Sequence, residues 1–267
     1  MKNRLSKTSF EESPITSIQK QSSKKKISVN SRKTKSKKSI SSQILAPFLT
    51  VKVVILILAH ISFFSVKSNN YSGNLILFDN TDLNIVDGFV KYLVRPLINW
   101  DAVHMMAIAR HGYIFENQFA FFPLLPIGSR LLALGLLKYC GIRPFISLEA
   151  LVSLIAIIIV NLCHYCAALV LYKLTLHLFK SSKFARTSVM LFIFNPASVQ
   201  LSSFYTEAPF AFLTFAGMYQ FYQNNWFYAS IIWALASTTR SNGIVLIGFF
   251  FYDLLTSIFR YYVERKN

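Results

Sequence analysis

The chain has 267 residues, 54 % of them hydrophobic and 15 % aromatic, with only 15 % charged. A soluble domain of this length needs more charge to stay dispersed, so the composition points to an integral membrane protein. The net charge of +17 is unevenly placed: residues 1–43 hold 12 Lys/Arg against Glu11 and Glu12, a net of +10, which leaves +7 for the other 224 residues.

That first stretch, with "KQSSKKK" and "SRKTKSKKS", is rich in Ser and Lys and poor in large apolar residues. It buries too little surface to offset chain entropy and reads as a disordered, solvated cytosolic tail touching anionic headgroups. A nucleic-acid arm is the alternative of lower weight, and a cleaved signal peptide is excluded by length and polarity. The remaining residues, 44–267, read as one membrane-embedded domain.

Apolar stretches of helical membrane length follow at 44–66, 148–172, 186–204, 208–223, 226–239 and 243–259, the fourth and fifth of them short. With the basic tail in the cytosol, the first span delivers residues 67–122 to the far side. That loop is slightly acidic, with Lys67, Lys91, Arg95 and Arg110 against Asp79, Asp82, Asp87, Asp101 and Glu116. Asn70-Tyr71-Ser72 matches a glycosylation sequon but lies close behind the first span.

Within the loop, "NWDAVHMMAIARHGY" (99–113) concentrates polar groups in an apolar chain. Taken as a helix turning about 100° per residue, it places Asp101, His104 and His111 within about 80° of one another, with Trp100 at the edge. Three readings stay open. Asp101 acts as a general base with His104 one turn away; the Asp-x2-His-x6-His spacing holds a divalent metal; or the helix is an interfacial anchor that Asp101 caps.

The next apolar piece, "FPLLPIGSRLLALGLLKY" (122–139), carries Pro123, Pro126 and Arg130. Were it to span, the basic stretch "KLTLHLFKSSKFAR" (173–186) would fall on the lumenal side, so an interfacial or re-entrant segment is expected. Asp101, Glu207 and Arg240 then share the lumenal face. Cys163-His164-Tyr165-Cys166 is formally a C-x-x-C, but with no second pair and a hydrophobic helix around it, Cys163, Cys166 and Cys140 read as small packing residues. Asn195-Pro196 kinks its helix.

Glu207 lies between two apolar runs, where an ionisable group is costly and marks either a functional site or a helix start ahead of Pro209. Arg240, before Ser241-Asn242-Gly243, is either a snorkelling anchor or a phosphate ligand.

Three pieces, "NWDAVHMMAIARHGY…FAFFPLLP", "NPASVQLSSFYTEAPFAFLTFAGM" and "ALASTTRSNG", in this order resemble the GPI mannosyltransferase 2 family over roughly residues 95–250. These are endoplasmic-reticulum enzymes of the multispanning GT-C glycosyltransferase class. The resemblance implies an all-α polytopic membrane protein, a GT-C-like bundle of about six or seven transmembrane helices with interfacial helices in a first lumenal loop. Residues 67–147 are then a lumenal, interfacial catalytic loop, and the chain an ER membrane protein with a cytosolic N-terminus.

It further implies transfer of the second, α1,6-linked mannose from dolichyl-phosphate-mannose to the GPI precursor glycolipid. No cofactor and no metal are called for, and the partners are those two substrates, membrane lipids and an accessory membrane subunit, with no nucleic acid. Trp100 and Asp101 match the family's Trp-Asp pair where the catalytic acidic residue is kept. Glu207 matches an acidic position after the Asn-Pro helix, and His104, His111, Arg240 and Asn242 match motif positions assigned to substrate binding. Family members run longer, so the runner-up reading is a catalytically incomplete membrane fragment or scaffold of the same family. A transporter ranks last, because no internal repeat is visible.

Overall fold

A computed structural model of the chain describes residues 39–65, 84–142 and 145–265. The readings placed on residues 1–38 and on the Asn70 sequon lie outside them. Among the described residues every regular element is a helix, and there is no strand.

Helix α1, Ile40–Ser65, begins slightly before the expected span, and Pro47 sits inside it. Helix α2, Ile85–Val94, was not expected: it is a short amphipathic helix inside the first loop, and it buries Asp87, Val90 and Val94. A 3-10 turn at Arg95–Leu97 leads into α3, Asp101–His111, which is the helix anticipated from the polar spacing. A second 3-10 turn, Glu116–Ala120, precedes α4, Leu124–Tyr139.

Helix α5, Leu148–Phe179, is the central element, packing on α1, α2, α3 and α4 and on the next two helices of the chain. Its start is doubly fixed: Ser147 Oγ accepts from the Ala150 amide at 3.3 Å, and the Ser147 amide donates to buried Asp87 Oδ1 at 2.9 Å. With 32 residues it is about 48 Å long at ~1.5 Å per residue, more than a bilayer core needs. It therefore absorbs much of the expected basic loop. The connection shrinks to Lys180, in a left-handed conformation at φ 53°, and Ser181, whose side chain caps the next helix.

Helix α6, Ser182–Ile193, stops short of the expected span, because Asn195-Pro196 ends it. Pro196 has no amide to donate, and Asn195 Oδ1 takes the Ala197 amide at 2.9 Å to start a 3-10 segment, Pro196–Ser202. Helices α7, Glu207–Tyr222, and α8, Trp226–Ser237, form an antiparallel hairpin. A 3-10 segment, Ser241–Ile247, then runs into α9, Gly248–Glu264. Among the described residues, three stretches are long and apolar enough to cross a membrane, Ile40–Ser65, Leu148–Phe179 and Ser241–Glu264, and Trp226–Ser237 is a shorter apolar helix. The protein is an all-α membrane protein.

Connectivity separates two ends. Glu207 opens α7 and Arg240 follows α8, so their connecting turn lies at the opposite end from both. His177, near the end of α5, contacts Tyr219 ring to ring at 6.3 Å, which places the end of α5 with the end of α7. Lys180, Lys183 and Arg186 thus gather away from Asp101, Glu207 and Arg240. Helix α4 has its first amide on Thr238 O, beside Arg240, at 3.1 Å. It leads into the start of α5, so it begins and ends in the half of the bundle that holds those three residues.

Candidate active site

The site is built from three sequence pieces that meet at one end of the bundle. The first is the turn into α3. Trp100 takes φ 56° and ψ −124°, a region that costs a residue with a bulky side chain about 1–3 kcal/mol. The residue is 87 % exposed, so its own packing does not hold it there. Asn99 does: its side-chain amide donates to Arg95 O at 3.3 Å and Pro96 O at 3.1 Å, and its carbonyl accepts from the Tyr205 hydroxyl at 2.9 Å. Asp101, the first residue of α3, is presented on the exposed side of this turn.

The second piece is the return from α3. Gly112 ends the helix at φ 80°, a conformation that glycine adopts without strain. Buried Gln118 accepts from the Ile114 and Phe115 amides at 2.8 and 3.1 Å through Oε1, and the Tyr113 hydroxyl donates to Phe121 O at 2.7 Å. Tyr113 also stacks on Phe119, and His104 lies parallel to Phe121 at 5.2 Å between ring centroids. The His-Gly-Tyr and Phe-Phe-Pro elements are thus one scaffold that stands Phe121 and Phe122 upright as a wall.

The third piece joins α7 to the residues after α8. Arg240 is extended, and Gly243 lets the following 3-10 segment fold against the end of α8: a Cβ there would meet the backbone of Ser237 and Ala236. Arg240 Nη1 pairs with Glu207 Oε1 at 2.5 Å, the two side chains being 35 % and 32 % exposed. Glu207 Oε2 is buried and has no hydrogen-bond partner. Arginine carries five donors in a planar fork, so pairing through one nitrogen leaves others for a second anion.

Asp101, Tyr205, Glu207, Arg240 and Ser241, with the Phe121–Phe122 wall, line a cavity of about 310 Å³. Burial, helped by the charges of Asp101 and Glu207 and opposed by the nearby Asp101 backbone amide, pushes the Tyr205 phenol up to about 12. Tyr205 therefore stays protonated and keeps its donor.

Of the residues picked out by sequence, Asp101, Glu207 and Arg240 are brought together around one cavity. Trp100 stands beside them with its side chain in the open. His104 is placed behind Phe121 and away from the cavity lining, His111 is exposed at the last position of α3, and Asn242 is exposed outside the lining. Among the described residues no three His, Cys, Asp or Glu side chains gather as a metal-binding group, so the Asp-x2-His-x6-His spacing is not assembled as a ligand set. Cys140, Cys163 and Cys166 are free thiols. Sequence reasoning missed Tyr205 and Ser241, both next to residues it had chosen. The signal available for Tyr205 was a hydroxyl two positions before an ionisable residue at the end of an apolar run.

Asp101, Glu207 and Arg240 thus give a helical membrane protein an acidic and cationic cavity at one end of its bundle. Residues 37–267 match the family described as Mannosyltransferase (PIG-V), and the chain belongs to that family. It is 36 % identical over 178 residues to the GPI alpha-1,6-mannosyltransferase 2 of Homo sapiens, covering 65 % of this chain and 35 % of that one. The rat protein of the same name is 35 % identical over 61 % of this chain and 33 % of its own. The GPI mannosyltransferase 2 of Yarrowia lipolytica is 29 % identical over 80 % of this chain and 52 % of its own. The chain thus spans about a third of the length of the mammalian relatives and about half of the Yarrowia protein. No solved structure matches it.

Proposed function

We propose that the chain carries the catalytic end of a GPI mannosyltransferase, which transfers the second, α1,6-linked mannose from dolichyl-phosphate-mannose to the GPI precursor glycolipid. The observation that supports this most is the convergence of Asp101 with the Glu207–Arg240 pair on one cavity of about 310 Å³. A volume at the lower end of the range of ligand sites suits one sugar ring with its attached phosphate.

The reaction is a single inverting displacement. Asp101 takes the proton of the acceptor's 6-hydroxyl as its oxygen bonds to the donor's anomeric carbon, and the bond from that carbon to the phosphate oxygen breaks with its electron pair. The leaving phosphate needs charge stabilisation more than a proton, and the unpaired donors of Arg240 supply it. Glu207 aims the guanidinium through one nitrogen. The site faces the ER lumen, with the N-terminus in the cytosol. The clustering of Lys180, Lys183 and Arg186 at the end away from the cavity supports that orientation.

The test is expression in cells lacking the second GPI mannosyltransferase, reading surface GPI-anchored proteins by flow cytometry. Rescue by the chain and its loss in Asp101→Ala are expected. Absence of rescue from a chain that reaches the membrane would show that these residues do not suffice, and rescue by Asp101→Ala would remove Asp101 as base. For orientation, a glycosylation acceptor placed at Lys180–Ser181 should stay unmodified, and its glycosylation reverses the assignment.

A further inference from the structure

Tyr205 joins the two elements that carry the candidate catalytic groups. It lies two residues before Glu207, the start of α7, and its hydroxyl donates to the carbonyl of Asn99, two residues before Asp101. That same carbonyl accepts the Ala102 amide at 3.2 Å, in the bond that starts α3. One residue earlier in its own segment, the Phe204 amide donates to Leu97 O at 3.1 Å, so two neighbouring groups grip the chain on either side of Ile98. Between Asn99 and Asp101 stands Trp100 at φ 56°, with its side chain in the open. A backbone held in such a region persists only where its surroundings over-determine it, and such sites cluster where geometry serves chemistry.

We propose that Tyr205 is a positioning residue: its hydroxyl locks the strained Asn99–Trp100 turn and thereby holds the Asp101 carboxylate in the cavity, in register with α7 and its Glu207–Arg240 pair. This rests on the reading of Asp101 as the base. Removing the hydroxyl while keeping the ring frees the turn to relax and lets Asp101 swing. The base then spends less time in reach of the acceptor hydroxyl, so turnover falls. Substrate affinity, set by the cavity's other groups, is kept. A tyrosine that instead touched substrate would show its loss in KM.

The experiment uses the full chain in lipid nanodiscs, with dolichyl-phosphate-mannose and the GPI precursor as substrates and amide hydrogen exchange as a second readout. In Tyr205→Phe, exchange of the Ala102 and Val103 amides should rise roughly tenfold as the turn loosens. With it kcat should fall about tenfold and KM stay within about twofold. Unchanged exchange at those amides overturns the lock, whatever the activity. Raised exchange with unchanged kcat, while Asp101→Asn is inactive, overturns the positioning role. Raised exchange with an active Asp101→Asn sinks the base reading and leaves the lock. If Tyr205→Phe does not fold, adding Trp100→Gly removes the strain that the hydroxyl held and should restore folding; failure to do so counts against the proposal.

Discussion

Two of the places where the chain carries polar groups into apolar surroundings are built in opposite ways. Midway along α1, Lys52 donates to Leu201 O at 3.0 Å and Ser202 Oγ at 2.7 Å. The Ser202 hydroxyl in turn donates to Ser198 O at 2.7 Å, and Asn161 of α5 donates to Ile157 O and Ser202 O. The bonds end on backbone carbonyls, and the adjoining cavity of about 250 Å³ is otherwise lined with aliphatic side chains. At the bundle end, by contrast, Asp101 is exposed, Arg240 pairs through one nitrogen, and Glu207 keeps a buried oxygen without a partner. The first arrangement ties α1 and α5 to the segment that leads into Tyr205 and Glu207. The second keeps polar capacity in hand, which is what substrate recognition requires. His164 fits neither pattern: fully buried, it packs in T-shaped contacts with Phe48 and Phe192, at 5.2 and 5.0 Å between ring centroids.

If the contrast holds, substitutions at the two places part into activity and stability. The largest effect is expected from Asp101→Asn, which keeps shape and removes the proposed base: transfer should drop by about 10²–10⁴-fold with unfolding temperature unchanged. Equal loss of stability would place Asp101 with the structural group. Arg240→Lys keeps charge but loses the planar fork, and should cost about tenfold in kcat/KM in the same transfer assay.

Lys52→Met is the mirror test. It should lower stability by about 1–3 kcal/mol, because two acceptors lose their donor, while kcat per folded molecule stays within about twofold. Thermal unfolding in detergent beside the transfer assay reads both. Trp100→Gly removes a strained φ and little buried surface, so stability should rise by up to about 1 kcal/mol while activity falls, the trade expected where strain serves a site. A fall in both would mean that the turn is not strained in solution.

The smallest effect concerns pH. Tyr205 holds its proton above the usual phenol value of 10.0, to about 12, so the folded state favours the protonated form. Its contribution to stability is complete below about 10 and is lost only as pH rises toward 12. Protection of the Ala102 amide, corrected for intrinsic exchange, should therefore stay constant from pH 7 to 9. A decline across that range would contradict the burial of the phenol.

Much of the bundle was legible along the chain. Helices α1, α5, α7, α8 and α9 follow from apolar runs, and α3 from the spacing of Asp101, His104 and His111, because helix periodicity is written in local sequence. Its polar face was legible, but the use of that face was not. The same spacing that marked a candidate ligand set left His104 as a support behind Phe121, because the loop 112–123 returns across it. Helix α2 escaped notice because a short amphipathic helix inside a polar loop looks like loop until Asp87 finds the Ser147 amide.

Sequence by itself therefore determined the class of protein, most of its helices and the residue types from which a site is made. These depend on neighbours three or four positions away. Tertiary structure alone decided which of those residues meet. The Arg240–Glu207 pair, the Tyr205 hydroxyl on Asn99 across 106 positions and the Lys52 bonds to Leu201 and Ser202 across about 150 all join segments far apart in the chain. Such contacts are set by how whole helices pack, and no local pattern records them.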